Sequence, residues 1–104
     1  MKISVIGLGY VGLPLYINLL GNKKIKKVIG VEQNSKSGTD KIKEILNVNQ
    51  NYFENARLNK ILNRNRKKIN LTINLKEISD SDFIFVCISF HIEKNLNTNH
   101  REYF

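Results

Sequence analysis

Acidic residues are scarce in this chain. Nine Asp and Glu stand against 17 Lys and Arg over 104 residues, a net charge of +8. An excess of that sign suits nucleic acid, an anionic membrane or a phosphate-bearing ligand. Features that would support the first two are missing. The basic runs, Lys23-Lys24-Ile25-Lys26-Lys27 and Arg57 through Lys68, carry no interleaved aromatic residues of the kind a single-strand binding face needs. They read as solvated faces, and no nucleic-acid partner is expected. The apolar stretch from Ile3 to Leu20 is broken by Ser4, Gly7, Gly9, Gly12, Pro14 and Asn18. It ends in Gly21-Asn22-Lys23-Lys24 with no small-residue cleavage site. It is neither a membrane span nor a signal peptide.

Cysteine is nearly absent too. Cys87 stands alone, which rules out an internal disulfide and suits a reducing cytoplasm. Within the apolar run Phe83-Ile84-Phe85-Val86-Cys87-Ile88 it reads as a buried thiol rather than a nucleophile. The two histidines, His91 and His100, have no Cys or carboxylate cluster at ligand spacing, so no metal site is expected. No Ser-His-Asp or P-loop pattern is present. Hydrophobic residues at 41% and charged residues at 25% are those of a globular chain, and residues 1–104 suffice for one small domain.

Patterning predicts alternating elements. Ile3-Ser4-Val5-Ile6 is a β-branched run ending at Gly7, hence a strand. A helix is expected from Gly9 to about Leu20, with Val11, Leu15 and Leu19 on one stripe and Pro14 in its first turn. Gly21-Asn22 ends it. Lys27–Val31 is a second strand, closing at Glu32. Asp40–Leu46 is a helix with Ile42, Ile45 and Leu46 as its apolar face. Arg57–Asn65 is another, carrying Leu58, Ile61 and Leu62. Ile69–Ile73 alternates as a third strand, and Asn74 caps a short helix through Ile78. Phe83–Ser89 is continuously apolar, as a parallel strand covered on both faces requires. Strands alternating with helices imply an α/β fold: a Rossmann-like, doubly wound parallel sheet of about four strands, in spatial order 3-2-1-4.

One motif carries chemistry. Gly7-Leu8-Gly9-Tyr10-Val11-Gly12 matches G-x-G-x-x-G between the first strand and its helix. Gly7 serves the tight turn, Gly9 lets backbone approach a pyrophosphate, and Gly12 lets the helix pack closely on the strands. The helix N-terminus offers its N–H groups and dipole to the phosphates. Glu32 ends the second strand 20 residues after Gly12 (32 − 12), placed to accept hydrogen bonds from adenosine ribose hydroxyls. A carboxylate there repels a 2′-phosphate, so the expected cofactor is NAD rather than NADP. Lys36 lies near enough to reach the ribose or a phosphate.

The longer string Gly7-Leu8-Gly9-Tyr10-Val11-Gly12-Leu13-Pro14-Leu15 resembles the opening signature of the UDP-glucose/GDP-mannose dehydrogenases. Val28–Asn34 resembles that family's second strand, with Glu32 where Asp is usual, and Asp82–Ile88 its fourth. The resemblance implies an oxidoreductase of polysaccharide biosynthesis that oxidises a nucleotide sugar with NAD, and adds Tyr10 and Val11 to the cofactor-binding residues. The family's Val-Pro-Thr-Pro turn is replaced here by Ile88-Ser89-Phe90-His91, where Ser89 offers a hydroxyl. The catalytic Cys, which forms a thioester, and its Lys and Asn helpers lie beyond residue 104 in the family, so no catalytic residue is assigned.

The expectation is therefore the NAD-binding N-terminal portion of a nucleotide-sugar dehydrogenase. It would not turn over alone, would meet a nucleotide sugar only with the remainder present, and would associate with that C-terminal part. The alternative is a free-standing, non-enzymatic nucleotide-binding or interaction module.

Overall fold

The computed structural model describes residues 1–48 and 51–88. Its elements run β1 (Lys2–Ile6), α1 (Gly12–Leu20), β2 (Lys27–Val31), α2 (Lys36–Leu46), α3 (Ala56–Arg64), a 3₁₀ turn (Arg66–Lys68), β3 (Leu71–Thr72), a second 3₁₀ turn (Leu75–Ile78) and β4 (Phe83–Val86). The four strands form one parallel sheet in the order β3-β2-β1-β4, as the alternation predicts. Lys2 pairs with Lys27 and Ile6 with Val31 across β1 and β2, while Ile3 pairs with Phe83 and Ile6 with Val86 across β1 and β4. All four strands therefore end at the same edge, and the βα turns gather there.

The core lies between the sheet and the helices. Val5, Val28, Tyr16, Ile17, Leu20, Ile45 and Leu62 are buried in one cluster. The stripe of α1 differs from the one expected. Leu13, Tyr16, Ile17 and Leu20 face inward, Leu15 and Leu19 pack at the margin, and Val11 is exposed. The segment GLPLYINLL is apolar almost all round, so periodicity alone does not select a face. Tyr16 is fully buried and its hydroxyl is used: it accepts from the Asn70 N–H at 2.9 Å and lies 3.3 Å from the Asn70 carbonyl. That bond takes the Asn70 N–H, while the Asn70 carbonyl still accepts from the Gly30 N–H of β2, and β3 is shorter than the expected 69–73.

Helix boundaries also move for identifiable reasons. α1 starts at Gly12 rather than Gly9, because residues 9–11 form the turn that feeds it. α2 starts at Lys36 rather than Asp40, since the Ser35 hydroxyl caps it by accepting from the Gly38 N–H at 3.1 Å. Asn55 caps α3 through the N–H groups of Arg57 and Leu58. Two cations of the basic runs close helix C-termini. Lys68 Nζ donates to the carbonyls of Leu20 and Asn22 at 3.1 Å, and Arg66 Nη1 donates to that of Ile45 at 3.2 Å.

β4 corrects one expectation. Its sequence is that of a strand buried on both faces, yet all four residues are exposed. It lies at the sheet edge and pairs with β1 alone among the described strands, so nothing described covers it.

Burial pushes the Tyr16 phenol from its ordinary value near 10 up to about 12, and the hydrogen bond from Asn70 partly opposes the shift. Below pH 10 the phenol is neutral in both folded and unfolded states. Between pH 10 and 12 the unfolded chain loses this proton while the folded chain keeps it, so stability falls as pH rises, by roughly 2–3 kcal/mol across the window. Tyr16→Phe is expected to remove this component of the alkaline slope. At neutral pH it should cost about 1–3 kcal/mol by leaving the Asn70 N–H unpaired. Urea denaturation of both chains at pH 7, 10 and 12 measures both effects.

Candidate functional site

The site is built on the turn between β1 and α1. Gly7 has φ +91°, a conformation side chains resist, and a Cβ there would lie 2.2 Å from the Cys87 carbonyl oxygen. Its N–H donates to the Val31 carbonyl at 2.9 Å. A Cβ on Gly12 would lie 1.7 Å from the Gly7 carbonyl oxygen and 3.0 Å from Cys87 Cβ. The turn is thus pressed onto the ends of β2 and β4, backbone against backbone. The Gly9 carbonyl accepts from the Leu13 N–H and starts the helix.

The N-terminus of α1 is left open. Val11 occupies the cap position without a side-chain bond, and the first turn holds no acidic residue. The Leu13 N–H is taken by the Gly9 carbonyl and Pro14 has none, so the Gly12 N–H and the positive end of the dipole are what this end of the helix offers. Tyr10 is 97% exposed and Val11 71% exposed beside this opening. A glycine cradle beneath an uncapped helix start fits a pyrophosphate.

Glu32 meets the same turn. Its Oε2 accepts from the Leu8 N–H at 3.2 Å and its Oε1 from the Gln33 N–H at 3.0 Å. Lys41 Nζ lies 3.7 Å from Oε2 and donates to the Leu8 carbonyl at 3.2 Å. Leu8 is thereby gripped at both backbone polar groups while its side chain is buried. A carboxylate has about four acceptor positions, so capacity remains for ribose hydroxyls.

Sequence reasoning missed Lys41 and chose Lys36. Lys36 is exposed at the first position of α2, where it lines a shallow cleft with Ser37, Asp40, Lys41 and Glu44. The usable signal was Ser35-Lys36-Ser37-Gly38. It starts the helix four residues early, and the bare Gly38 lies where a Cβ would be 2.0 Å from the Gln33 carbonyl oxygen. Helix α2 therefore packs tightly behind Glu32 and brings Lys41 to it. Ser89 lies outside the described residues. Cys87 is half-buried against the core, and its N–H donates to the Ile6 carbonyl at 2.7 Å. Among the described residues no cluster of three His, Cys, Asp or Glu is placed to hold a metal ion. No described helix is long and apolar enough to cross a membrane.

Residues 1–100 match the model of the UDP-glucose/GDP-mannose dehydrogenase family, NAD binding domain. The chain belongs to this family. Its cofactor is NAD. Protein CapL of Staphylococcus aureus is 38% identical over 94 residues, 90% of this chain and 20% of CapL. The NDP-N-acetyl-D-galactosaminuronic acid dehydrogenase of Methanosarcina mazei Go1 superposes with TM-score 0.72 at 33% identity, over 85% of this chain and 19% of that one. The GDP-mannose dehydrogenase of Pseudomonas aeruginosa, solved as a ternary complex, superposes with TM-score 0.69 at 30% identity, over 91% of this chain and 21% of that one. This NAD-binding domain thus spans about a fifth of the length of these relatives.

Gly7→Ala is expected to cost at least about 1–3 kcal/mol from its backbone conformation alone, before the clash with Cys87 is counted. A lowered urea midpoint checks this; an unchanged one would mean the turn tolerates a Cβ.

Proposed function

We propose that this domain holds the adenosine and pyrophosphate half of NAD for a nucleotide-sugar dehydrogenase and does not turn over alone. The observation that carries the reading is the N-terminus of α1 without a side-chain cap, rising from a turn that lacks a Cβ at Gly7, Gly9 and Gly12, with Glu32 fixed beside it. In this reading Gly7, Gly9 and Gly12 form the phosphate cradle. Tyr10 and Val11 flank the bound dinucleotide. Glu32 accepts the ribose hydroxyls. Lys41 holds Glu32 and the Leu8 carbonyl in register, and Lys36 and Ser89 are peripheral contacts. NAD, when bound, supplies a hydride acceptor for the oxidation of a sugar alcohol.

The nucleotide sugar and the nucleophile belong to the part of the family architecture this chain does not include, and residues 1–104 act as one cofactor-binding domain. Two of the relatives are dehydrogenases of nucleotide-linked sugars by name, which supports the substrate class. The unpaired thiol of Cys87 supports a reducing cytoplasm as the compartment.

Calorimetric titration tests the reading. NAD⁺ is expected to bind the isolated domain, and NADP⁺ more weakly because Glu32 faces its 2′-phosphate. Glu32→Ala should weaken NAD⁺ binding about tenfold or more, the scale of a hydrogen bond to a charged group. No heat and no thermal stabilisation at millimolar NAD⁺ would sink the proposal. Unchanged affinity in Glu32→Ala would remove the ribose role.

A further inference from the structure

Lys41 is placed selectively. It stands midway along α2, where Lys36, Ser37, Asp40 and Glu44 line the same shallow cleft. Glu44 follows about one turn along the helix, yet the ion pair of Lys41 is with Glu32, Nζ to Oε2 at 3.7 Å. The same ammonium donates to the Leu8 carbonyl at 3.2 Å, and Oε2 accepts from the Leu8 N–H at 3.2 Å. Lysine, carboxylate and one residue of the glycine turn close a small ring of contacts.

This pair is sheltered, with the Glu32 side chain 15% exposed and that of Lys41 35%. Water and salt screen it less than they screen a pair on an open surface. Glu32 has two anchors besides the lysine, the N–H groups of Leu8 and Gln33. What Lys41 adds above all is charge. An ammonium has three donors, so the bond to Leu8 leaves two for other acceptors.

Coenzyme choice at the end of β2 turns on charge. A carboxylate accepts the 2′-hydroxyl of NAD and repels the 2′-phosphate of NADP, whereas a cation attracts that phosphate. Here a cation lies 3.7 Å from the carboxylate oxygen, so a phosphate drawn to Oε2 meets both signs. We propose that Lys41 is a specificity-determining residue, which offsets part of the Glu32 charge and so limits how strongly the domain rejects a 2′-phosphate. Glu32 sets the direction of the preference and Lys41 sets its depth. Without the ammonium the carboxylate stands unopposed. Without the carboxylate the ammonium is free to pair with a phosphate. The inference rests on the cofactor reading above and extends it to a residue 33 positions from Leu8.

The test is calorimetric titration of the full 104-residue chain with NAD⁺ and NADP⁺. The two differ only in the 2′-phosphate, so the ratio of their Kd values reads this position and cancels a general loss of binding. Lys41→Met is expected to widen the preference for NAD⁺ at least about threefold, chiefly by weakening NADP⁺, and Lys41→Arg to restore it. Glu32→Gln should move the ratio toward NADP⁺ by at least about tenfold. Adding Lys41→Met to Glu32→Gln should remove most of that gain, in a background where NADP⁺ binding is readily measured. Lys43→Met removes the same charge from an exposed position of α2 and should leave the ratio within about twofold. A ratio that Lys41→Met does not move, with both coenzymes weakened alike, overturns the inference and reduces Lys41 to a structural tie. An equal shift in Lys43→Met overturns it too, because the effect then belongs to net charge. NAD⁺ binding with an unmoved ratio spares the cofactor reading. No NAD⁺ binding by any of these chains defeats that reading, and this inference with it.

Discussion

The fold hangs on one crowded contact at the end of β4. The Gly7 and Gly12 backbones approach the Cys87 and Gly7 carbonyls closer than any Cβ permits. The contact is tied down on two sides, by the Gly7 N–H on the Val31 carbonyl and the Cys87 N–H on the Ile6 carbonyl. Three neighbouring strands are joined at their ends by this one turn. The direction of α1 follows from it, and so does the face that α1 buries. Tyr16 then reaches across to Asn70 and couples the helix to the approach to β3.

Electrostatics divides the molecule into two ends. At the strand C-termini, α1 begins without a side-chain cap and with no acid in its first turn. At the opposite end, Lys68 and Arg66 satisfy the last carbonyls of α1 and α2. Part of the positive excess thus serves the helices, where a cation beside a C-terminus contributes about 0.3–1 kcal/mol. The one carboxylate gripping the glycine turn, Glu32, is balanced by Lys41. The end of the molecule at the glycine turn is left with little uncompensated negative charge.

This arrangement joins the chain to its family in a specific way. The match to the family's NAD binding domain covers residues 1–100, which include the glycine turn and Glu32. β4 has the composition of an interior strand, yet among the described strands it pairs with β1 alone.

Much of this was legible in the residues. The strand order, the glycine turn and Glu32 at the end of β2 follow from local properties: β-branched runs, missing Cβ atoms and spacing along the chain. The helix starts were less legible, because Ser35 and Gly38 sit in a polar stretch without periodicity. Three features were decided by tertiary structure alone. The buried face of α1 was chosen by the Gly12 contact, since its sequence is apolar on nearly every side. Lys41 was brought to Leu8 across 33 positions by the packing of α2 behind Glu32. The exposure of β4 depends on which neighbours stand beside it, and a strand's own residues state only what surroundings suit it.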